Sequence, residues 1–218
     1  MLSKLLDVRS IILLLMGQYK GCFQGSLRLP EYDYSQNGAY FVTLVTYQRQ
    51  HLFGKVIQEE MKLSKIGGIV YTTWLEVPLH FCDVKIDIFV IMPNHIHGII
   101  FIDHVLPPYV AATHASQLHR DQFMESMKKP RPRGPAPGSL SAIIGSFKSA
   151  VSKRIHHVSG FETIKVWQRN YYEHIIRDER ALHRIVEYIE ANPYHWVDDP
   201  VNLPFGYKDQ AIRSFSQW

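Results

Sequence analysis

Two histidines separated by one residue, His95-Ile96-His97, form the first pattern in this sequence that can do chemistry. Side chains two positions apart on a β-strand point to the same face, so both imidazoles can reach a single metal ion. The chain contains 12 histidines, so such a triplet can also arise by chance as a surface or hydrogen-bonded pair. Taken alone, the triplet leaves metal binding and an ordinary histidine pair both open.

A second group of candidate residues lies in segment 178–192, where apolar residues follow helical spacing. The apolar face consists of Leu182, Ile185, Val186 and Ile189. At ~100° per residue, Tyr188 and Asn192 fall along one edge of that face, about one turn apart. A buried amide needs a partner, because leaving it unpaired costs about 1–3 kcal/mol. The Asn192 carbonyl oxygen could be a third metal ligand; alternatively, Asn192 caps the helix end and Tyr188 is an ordinary half-buried aromatic residue.

The elements that must position these residues alternate between strand and helix patterns. Strands are predicted where β-branched and aromatic residues cluster or alternate with polar ones, and helices where apolar residues recur at helical spacing. The predicted strands are 40–46, 84–90, 95–102 and 166–176, and the predicted helices are 64–77, 140–155 and 178–192. This order predicts an α+β fold, a ferredoxin-like split βαβ antiparallel sheet with helices on one face, plus a C-terminal helix that carries Tyr188. Many unrelated functions use this fold, so it does not decide the activity.

The composition is that of a globular protein. The chain has 218 residues, of which 46% are hydrophobic and 12% aromatic, and a chain of this length needs neither a disulfide nor a metal to fold. Its two cysteines, Cys22 and Cys82, lack metal-binding spacing and favour a reduced, cytoplasmic protein. The apolar run at 11–16 is much shorter than the ~20 residues that span a bilayer, so no membrane partner is expected.

Positive charge is concentrated in one part of the chain. The 24 Lys and Arg exceed the 20 Asp and Glu, which gives a net charge of +4. Between Arg120 and Arg154 there are eight basic and two acidic residues, so this window carries +6 and the rest of the chain −2. Such segregation favours a polyanionic partner, although a solvated basic loop followed by a polar helix face explains it equally well.

A change in composition separates the predicted hairpin from the helix that follows it. Residues between 104 and 138 include many prolines and glycines, which exclude a helix or a central strand. We therefore predict a long basic loop at about 104–138 within a single domain that spans 28–203. Segment 1–27 is predicted to be an N-terminal extension of unknown role, and 204–218 a C-terminal tail.

Three motifs together resemble those of single-tyrosine HUH transposases. The sequence MPNHIHG at 92–98 resembles their His-hydrophobic-His motif, and YIEANP at 188–193 resembles their tyrosine helix. The sequence WQRNYYEHIIR at 167–177 resembles the strand before that helix in the branch of REP-associated tyrosine transposases. The resemblance runs from about residue 28 to residue 203, with the motifs in the same order.

The resemblance implies a role for each matched residue. His95 and His97 would hold a divalent metal, Mg²⁺ or Mn²⁺, with Asn192 as the third ligand, and the metal would polarise a phosphate of single-stranded DNA. Tyr188 would attack the phosphorus, which gives a 5′-phosphotyrosine link and a free 3′-OH. A later attack by another 3′-OH would rejoin DNA. The implied partner is single-stranded DNA with hairpin (REP-like) repeats, bound by a monomer or a homodimer.

Further residues are assigned around this site. We predict DNA contacts for the basic residues of the loop, of the next helix and of the matched strand: Lys128, Lys129, Arg131, Arg133, Lys148, Lys153, Arg154, Arg169 and Arg177. The last two can equally pair with nearby glutamates. His174 and Glu173 are candidates for orienting the tyrosine or a metal ligand.

Two other functions remain open. One is a domesticated, catalytically weak protein that only binds DNA hairpins, against which the four intact motif residues argue. The other is a metal-dependent hydrolase with a water nucleophile. That hypothesis lacks an acidic residue at an obvious ligand position, and it leaves Tyr188 unexplained.

Overall fold

The computed structural model describes residues 32–104, 134–158, 160–199 and 201–202. The predicted N-terminal extension and C-terminal tail lie outside these residues. So does most of the predicted basic loop, with Lys128, Lys129, Arg131 and Arg133. Within the described ranges, no helix is both long enough and apolar enough to cross a membrane.

Of the six strands in the described part of the chain, four form one antiparallel sheet. The strands are β1 Gly38–Val45, β2 Gly54–Ile57, β3 Glu60–Leu63, β4 Val84–Met92, β5 His95–Ile102 and β6 Tyr172–Ile176. The main sheet has the order β4-β5-β1-β6, and every neighbouring pair is antiparallel. The first of these four strands in the chain lies between the third and the fourth, which is the predicted ferredoxin-like arrangement.

The residues that the structure describes form four α-helices around the sheet. They are α1 Lys65–Leu75, α2 Val77–His80, α3 Leu140–His156 and α4 Glu179–Ala191. Side chains cap the three long helices: Ser64 accepts from the Gly67 N–H, Ser139 from that of Ala142, and Asp178 from that of Ala181. The predicted helices are therefore confirmed, except that the first ends at Leu75 and Pro78 lies inside a separate short helix.

The two faces of the sheet bury two separate cores. On one face, α1 and α3 pack Trp74 and Phe147 against the strands, and Val42 of β1 points into this larger core. On the other face, α4 packs Ile185 and Ile189 against neighbouring residues of β1 and β5. Successive strand residues point to opposite faces, so adjacent positions of β1 and β5 serve different cores. The face covered by α4 is the one that carries the candidate site.

The predicted strand over 166–176 is wrong for its first half. Only Tyr172–Ile176 pairs with β1, and Trp167 makes a single isolated bridge to Thr46. The Trp167 side chain is buried in the larger core. The Lys148 ammonium donates hydrogen bonds to the backbone carbonyl oxygens of residues 168 and 170. The apolar residues at 166–171 therefore serve packing rather than a strand ladder.

A second β-hairpin, β2–β3, was not expected from the sequence. Its turn residues, Gln58 and Glu59, have φ angles of 49° and 64°. Such two-residue turns are usually marked by Asn-Gly or Asp-Gly, because those residues tolerate positive φ. With Gln-Glu at the turn, the ordinary sequence signal for a hairpin is missing.

Candidate metal and nucleophile site

His95 and His97 lie side by side at the start of β5. The register places His95 opposite Val45 and His97 opposite Thr43 of β1. Both side chains are fully buried, and their ring centroids are 4.4 Å apart. The structure thus places both imidazoles on one face, as the strand period predicts.

Asn94 determines which nitrogen of His95 faces the site. Its Nδ2 donates to the backbone carbonyl oxygens of Arg49 at 3.3 Å and of Val201 at 2.8 Å. Its Oδ1 lies 2.8 Å from His95 Nδ1 and accepts the Nδ1–H. Burial lowers the pKa of His95 to about 3, so the ring is neutral and its Nε2 lone pair points to the site. A neutral imidazole held in this way is the form that binds metals.

The Tyr188 hydroxyl lies at the second imidazole. Its oxygen is 3.2 Å from His97 Nε2, while His97 Nδ1 is 2.8 Å from Thr43 Oγ1. Burial, followed by the neighbouring His95, lowers the pKa of His97 well below its usual value, so this ring is also neutral. Phe41 stacks on His97 with 5.3 Å between centroids and meets the Tyr188 ring edge-on. The structure therefore brings together the tyrosine and the two histidines that the sequence singled out.

Helix α4 positions Tyr188 and Asn192 at the edge of the smaller core. Ile185 and Ile189 are buried against the sheet, which orients the helix about its own axis. Asn192 is the C-cap residue of α4 and is only 3% exposed. Its Oδ1 is buried and has no hydrogen-bond partner among the described residues. Asn192 thus ends the helix and also directs an unsatisfied polar atom into the protein.

Asp199 also belongs to this site, and sequence reasoning missed it. After α4 the chain passes through a 3₁₀ turn, Trp196–Asp198, whose Trp196 ring lies 6.0 Å from that of His95, centroid to centroid. Asp199 Oδ2 lies 3.7 Å from His95 Nε2, and Asp199 Oδ1 accepts the Val201 N–H at 2.7 Å. The ligand atoms of His95, His97 and Asp199 all lie within 4.8 Å of one another. The expectation that no acidic residue occupies a ligand position is therefore wrong.

This set of residues fits a divalent metal ion. Of the buried side-chain atoms without a hydrogen-bond partner among the described residues, three belong to this site: His95 Nε2, Asn192 Oδ1 and Asp199 Oδ2. Each such atom costs about 1–3 kcal/mol, and a cation would satisfy all three. Burial raises the pKa of Asp199, which reflects the cost of an uncompensated carboxylate there. Two neutral imidazoles with carboxylate and amide oxygens suit Mn²⁺ and related ions better than Mg²⁺.

The two predicted supporting residues of β6 lie on different faces of the sheet. His174 is opposite Phe41, on the face of the histidines, and burial followed by the nearby Arg177 lowers its pKa. Glu173 is opposite Val42, whose side chain belongs to the larger core. Because strand residues alternate, Glu173 lies on the face away from the metal ligands. The prediction that Glu173 orients a ligand or the tyrosine is therefore wrong.

Two of the predicted DNA-binding residues have partners within the protein. Lys148 Nζ donates to the carbonyl oxygens of Gln168 at 3.0 Å and Asn170 at 2.9 Å. Arg154 donates to Thr73 Oγ1 and forms an ion pair with Glu76. Both belong to α3, on the face of the sheet opposite α4. A DNA contact by either residue stays a prediction, and the structure gives each a role in holding the fold.

The other basic residues that we predicted to contact DNA, and that the structure describes, are exposed. Lys153, Arg169 and Arg177 all lie on the surface. The N–H of Gln168, next to Arg169, donates to the Val45 carbonyl oxygen, which places Arg169 at the end of the sheet that carries His95. Their contacts with DNA stay predictions.

Known proteins show similarity over most of the chain. It is 39% identical over 180 residues to an uncharacterised protein of Haemophilus influenzae, which covers 80% of this chain and 90% of that protein. No family model matches the chain. A solved structure of a REP-associated tyrosine transposase bound to a REP hairpin has a TM-score of 0.49 and 17% identity, covering 86% of this chain and 87% of that one. A transposase candidate from Deinococcus radiodurans has a TM-score of 0.37 and 13% identity, covering 76% and 96%.

The identity with the Haemophilus influenzae protein extends over most of both chains. The chain therefore belongs to the same family as this Haemophilus influenzae protein.

Proposed function

We propose that the protein is a metal-dependent enzyme that cuts and rejoins single-stranded DNA, as a transposase does, through a covalent link to Tyr188. The observation that carries this proposal is the 3.2 Å contact between the Tyr188 hydroxyl and His97 Nε2. A free phenol, with a pKa of about 10, is only weakly nucleophilic at neutral pH. A base or a metal ion beside the hydroxyl favours loss of its proton, so a tyrosine held against candidate metal ligands is suited to nucleophilic attack on phosphorus.

The ligand residues would hold the metal between β5 and the end of α4. His95, His97 and Asp199, with Asn192 beside them, offer two nitrogen and two oxygen atoms from buried side chains. A bound divalent ion supplies Lewis acidity toward a phosphate oxygen. Asn94 and Thr43 keep the imidazoles in orientation through their Nδ1 atoms.

Tyr188 would exchange one phosphoester bond for another. Its phenolic oxygen forms a bond to phosphorus and loses its proton, while the bond from phosphorus to the 3′ oxygen breaks and that oxygen gains a proton. The downstream strand stays attached to Tyr188 through its 5′ phosphate. A 3′-OH can later reverse the exchange at the same phosphorus, so strands are rejoined without a nucleotide cofactor. The motif resemblance supports hairpin-forming repeats as the DNA.

A second candidate is a metal-dependent phosphodiesterase that uses water. Asp199 favours it, because two histidines and a carboxylate are a common ligand set in metal sites. This reaction would leave two free DNA fragments and no link to protein. Tyr188 would then orient His97 rather than react.

End-labelled DNA distinguishes these functions. The protein is incubated with Mn²⁺ and a panel of hairpin oligonucleotides, each labelled at its 3′ or at its 5′ end, and the products are separated on a denaturing gel. We expect the 3′ label to migrate with the protein and the 5′ label to appear on a shorter free strand. Two free fragments without an adduct would favour the phosphodiesterase. Tight binding without any cleavage would favour the hairpin-binding protein.

Matched tyrosine variants test the nucleophile. Tyr188→Phe should abolish the adduct, because it removes one oxygen atom. Tyr71→Phe makes the same change on the exposed side of α1 and should leave the adduct unchanged. An adduct that persists in Tyr188→Phe would show that another residue reacts.

A further inference from the structure

We propose that Arg49 binds the phosphate at which the DNA is cut, from the side of the site next to Asn94 and Asp199. This inference rests on the proposed function and deepens it. Arg49 follows β1 in a 3₁₀ turn, Tyr47–Arg49, at the end of the sheet that carries His95. The sequence motifs did not include it.

The backbone at Arg49 is held in an uncommon conformation. Gln48 and Arg49 have φ angles of 54° and 56°, in the left-handed region that favours glycine. Such residues cost roughly 1–3 kcal/mol each, persist only where the surroundings impose them, and cluster at functional sites. Here the Thr46 hydroxyl donates to the Gln50 carbonyl oxygen at 2.8 Å, and Asn94 donates to that of Arg49. The turn is thereby fixed to the metal site.

Asn94 connects the Arg49 turn directly to a candidate ligand. One side of its amide donates to the Arg49 carbonyl oxygen, while the other accepts from His95 Nδ1. The same amide binds Val201, two residues after Asp199. One buried side chain therefore sets the spacing between Arg49, His95 and Asp199.

The positive charge of Arg49 acts electrostatically on two of the candidate ligands. Burial is the main reason that the pKa of His95 is low, and the Arg49 cation lowers it further. The same cation lowers the pKa of Asp199, against the larger effect of burial. Arg49 is itself partly buried, which lowers its own pKa, but a guanidinium remains protonated in proteins.

A cation whose charge acts on a candidate metal ligand needs a reason. It repels the metal and therefore weakens metal binding, so a site that only held a metal would bind it better without Arg49. An anion placed between the metal and the guanidinium is attracted by both, and a guanidinium can hold two phosphate oxygens at once. In single-stranded DNA that anion is a backbone phosphate. The competing explanation is that Arg49 only holds partners within the protein, the buried Asp199 among its charged neighbours.

A double-mutant cycle between Arg49 and the charge of one phosphate separates these two roles. Binding is measured with Mn²⁺ in the Tyr188→Phe background, which prevents the proposed reaction. One hairpin oligonucleotide carries a phosphate at the cut position mapped in the labelling experiment, and the other carries an uncharged methylphosphonate there. With Arg49 present, we expect the methylphosphonate to bind about tenfold or more weakly. In Arg49→Gln this difference should shrink about tenfold.

One further measurement, one control variant and one replacement variant make the cycle decisive. The Mn²⁺ affinity of the free protein should rise several-fold in Arg49→Gln, which also shows that the variant is folded. Lys85→Gln removes a cation from the other end of β4 and should change neither quantity. Should Arg49→Gln not fold, Arg49→Lys replaces it in the cycle, with a smaller drop because lysine lacks the guanidinium fork.

An unchanged methylphosphonate difference in Arg49→Gln, or in its replacement, would overturn the role of Arg49 while leaving the proposed function intact. If the wild-type protein forms no adduct with any hairpin, the proposed function fails first, and the phosphate role fails with it. The two failures are therefore distinguishable.

Discussion

At the scale of single residues, the site depends on which atoms are left without partners. His95 and His97 each use Nδ1 for a hydrogen bond inside the protein, so Nε2 of each ring faces the site: that of His95 has no hydrogen-bond partner among the described residues, and that of His97 meets the Tyr188 hydroxyl. Asp199 has one oxygen on the Val201 N–H and the other toward His95. The surrounding polar side chains thus orient the ligands before any metal arrives.

Removing the Asn94 side chain should weaken metal binding at the candidate site. Asn94→Ala leaves His95 Nδ1–H without its acceptor and two backbone carbonyl oxygens without their donor. Loss of such a supporting hydrogen bond typically costs about 10–100-fold in metal affinity. We expect this drop in a calorimetric titration with Mn²⁺. Asn37→Ala, an exposed amide at the other end of β1, is the control, and equal affinities in the two variants would contradict the role of Asn94.

Asp199 should have opposite effects on the metal-free and the metal-bound protein. In EDTA, Asp199→Asn should be at least as stable as wild type, because it removes a buried carboxylate whose pKa is raised by burial. Mn²⁺ should stabilise the variant less than it stabilises wild type. A ligand present at about 100 times its Kd adds about 2.7 kcal/mol to the free energy of unfolding, and a ligand that binds more weakly adds less. Thermal melting with and without Mn²⁺ measures both effects. A stabilisation by Mn²⁺ equal to that of wild type would exclude Asp199 as a ligand.

At the scale of elements, periodic patterns predicted the site and irregular segments did not. The strand period placed His95 and His97 on one face, and the helix period placed Tyr188 and Asn192 at one edge of α4. Asp199 lies in a segment after α4 that has no period, so its position depends on tertiary packing. The register of β6, which the sequence does not determine, places Glu173 opposite Val42. Strand alternation then puts the Glu173 side chain on the face of the sheet away from the metal ligands.

Helix α3 supplies a test of structural against DNA-binding lysines. Lys148→Met removes the donor to two backbone carbonyl oxygens before β6, and we expect a loss of about 1–3 kcal/mol in the free energy of unfolding. Lys153→Met changes an exposed residue on the same helix and should alter stability by less than about 0.5 kcal/mol. If Lys153 contacts a phosphate, the salt dependence of hairpin binding should weaken in its variant. Chemical denaturation and binding titrations at several salt concentrations give these values. Equal stabilities would contradict the structural role of Lys148.

At the scale of the whole molecule, the candidate site and the ends of the basic loop lie at opposite ends of β5. His95 begins that strand, and the loop follows its last residue, Ile102, about 20 Å away. The two ends of the loop meet, because His104 lies close to Gly138. His104 is also bound to Asp83, just before β4. The described anchors of the loop therefore do not adjoin Tyr188.

This geometry allows the loop to be removed without disturbing the site. Replacing residues 105–133 by a short Gly-Ser linker joins ends that are already adjacent, so the melting temperature and the Tyr188 adduct should be preserved. The loop carries five basic residues, Arg120, Lys128, Lys129, Arg131 and Arg133. Each phosphate contact that is lost should reduce the slope of log affinity against log salt by about 0.7 for single-stranded DNA. A smaller slope with an intact adduct would assign the loop to hairpin binding alone. An unchanged slope would instead assign the salt dependence to basic residues outside the loop, such as Arg49, Lys153 and Arg169. Loss of the adduct would mean that the loop reaches the site.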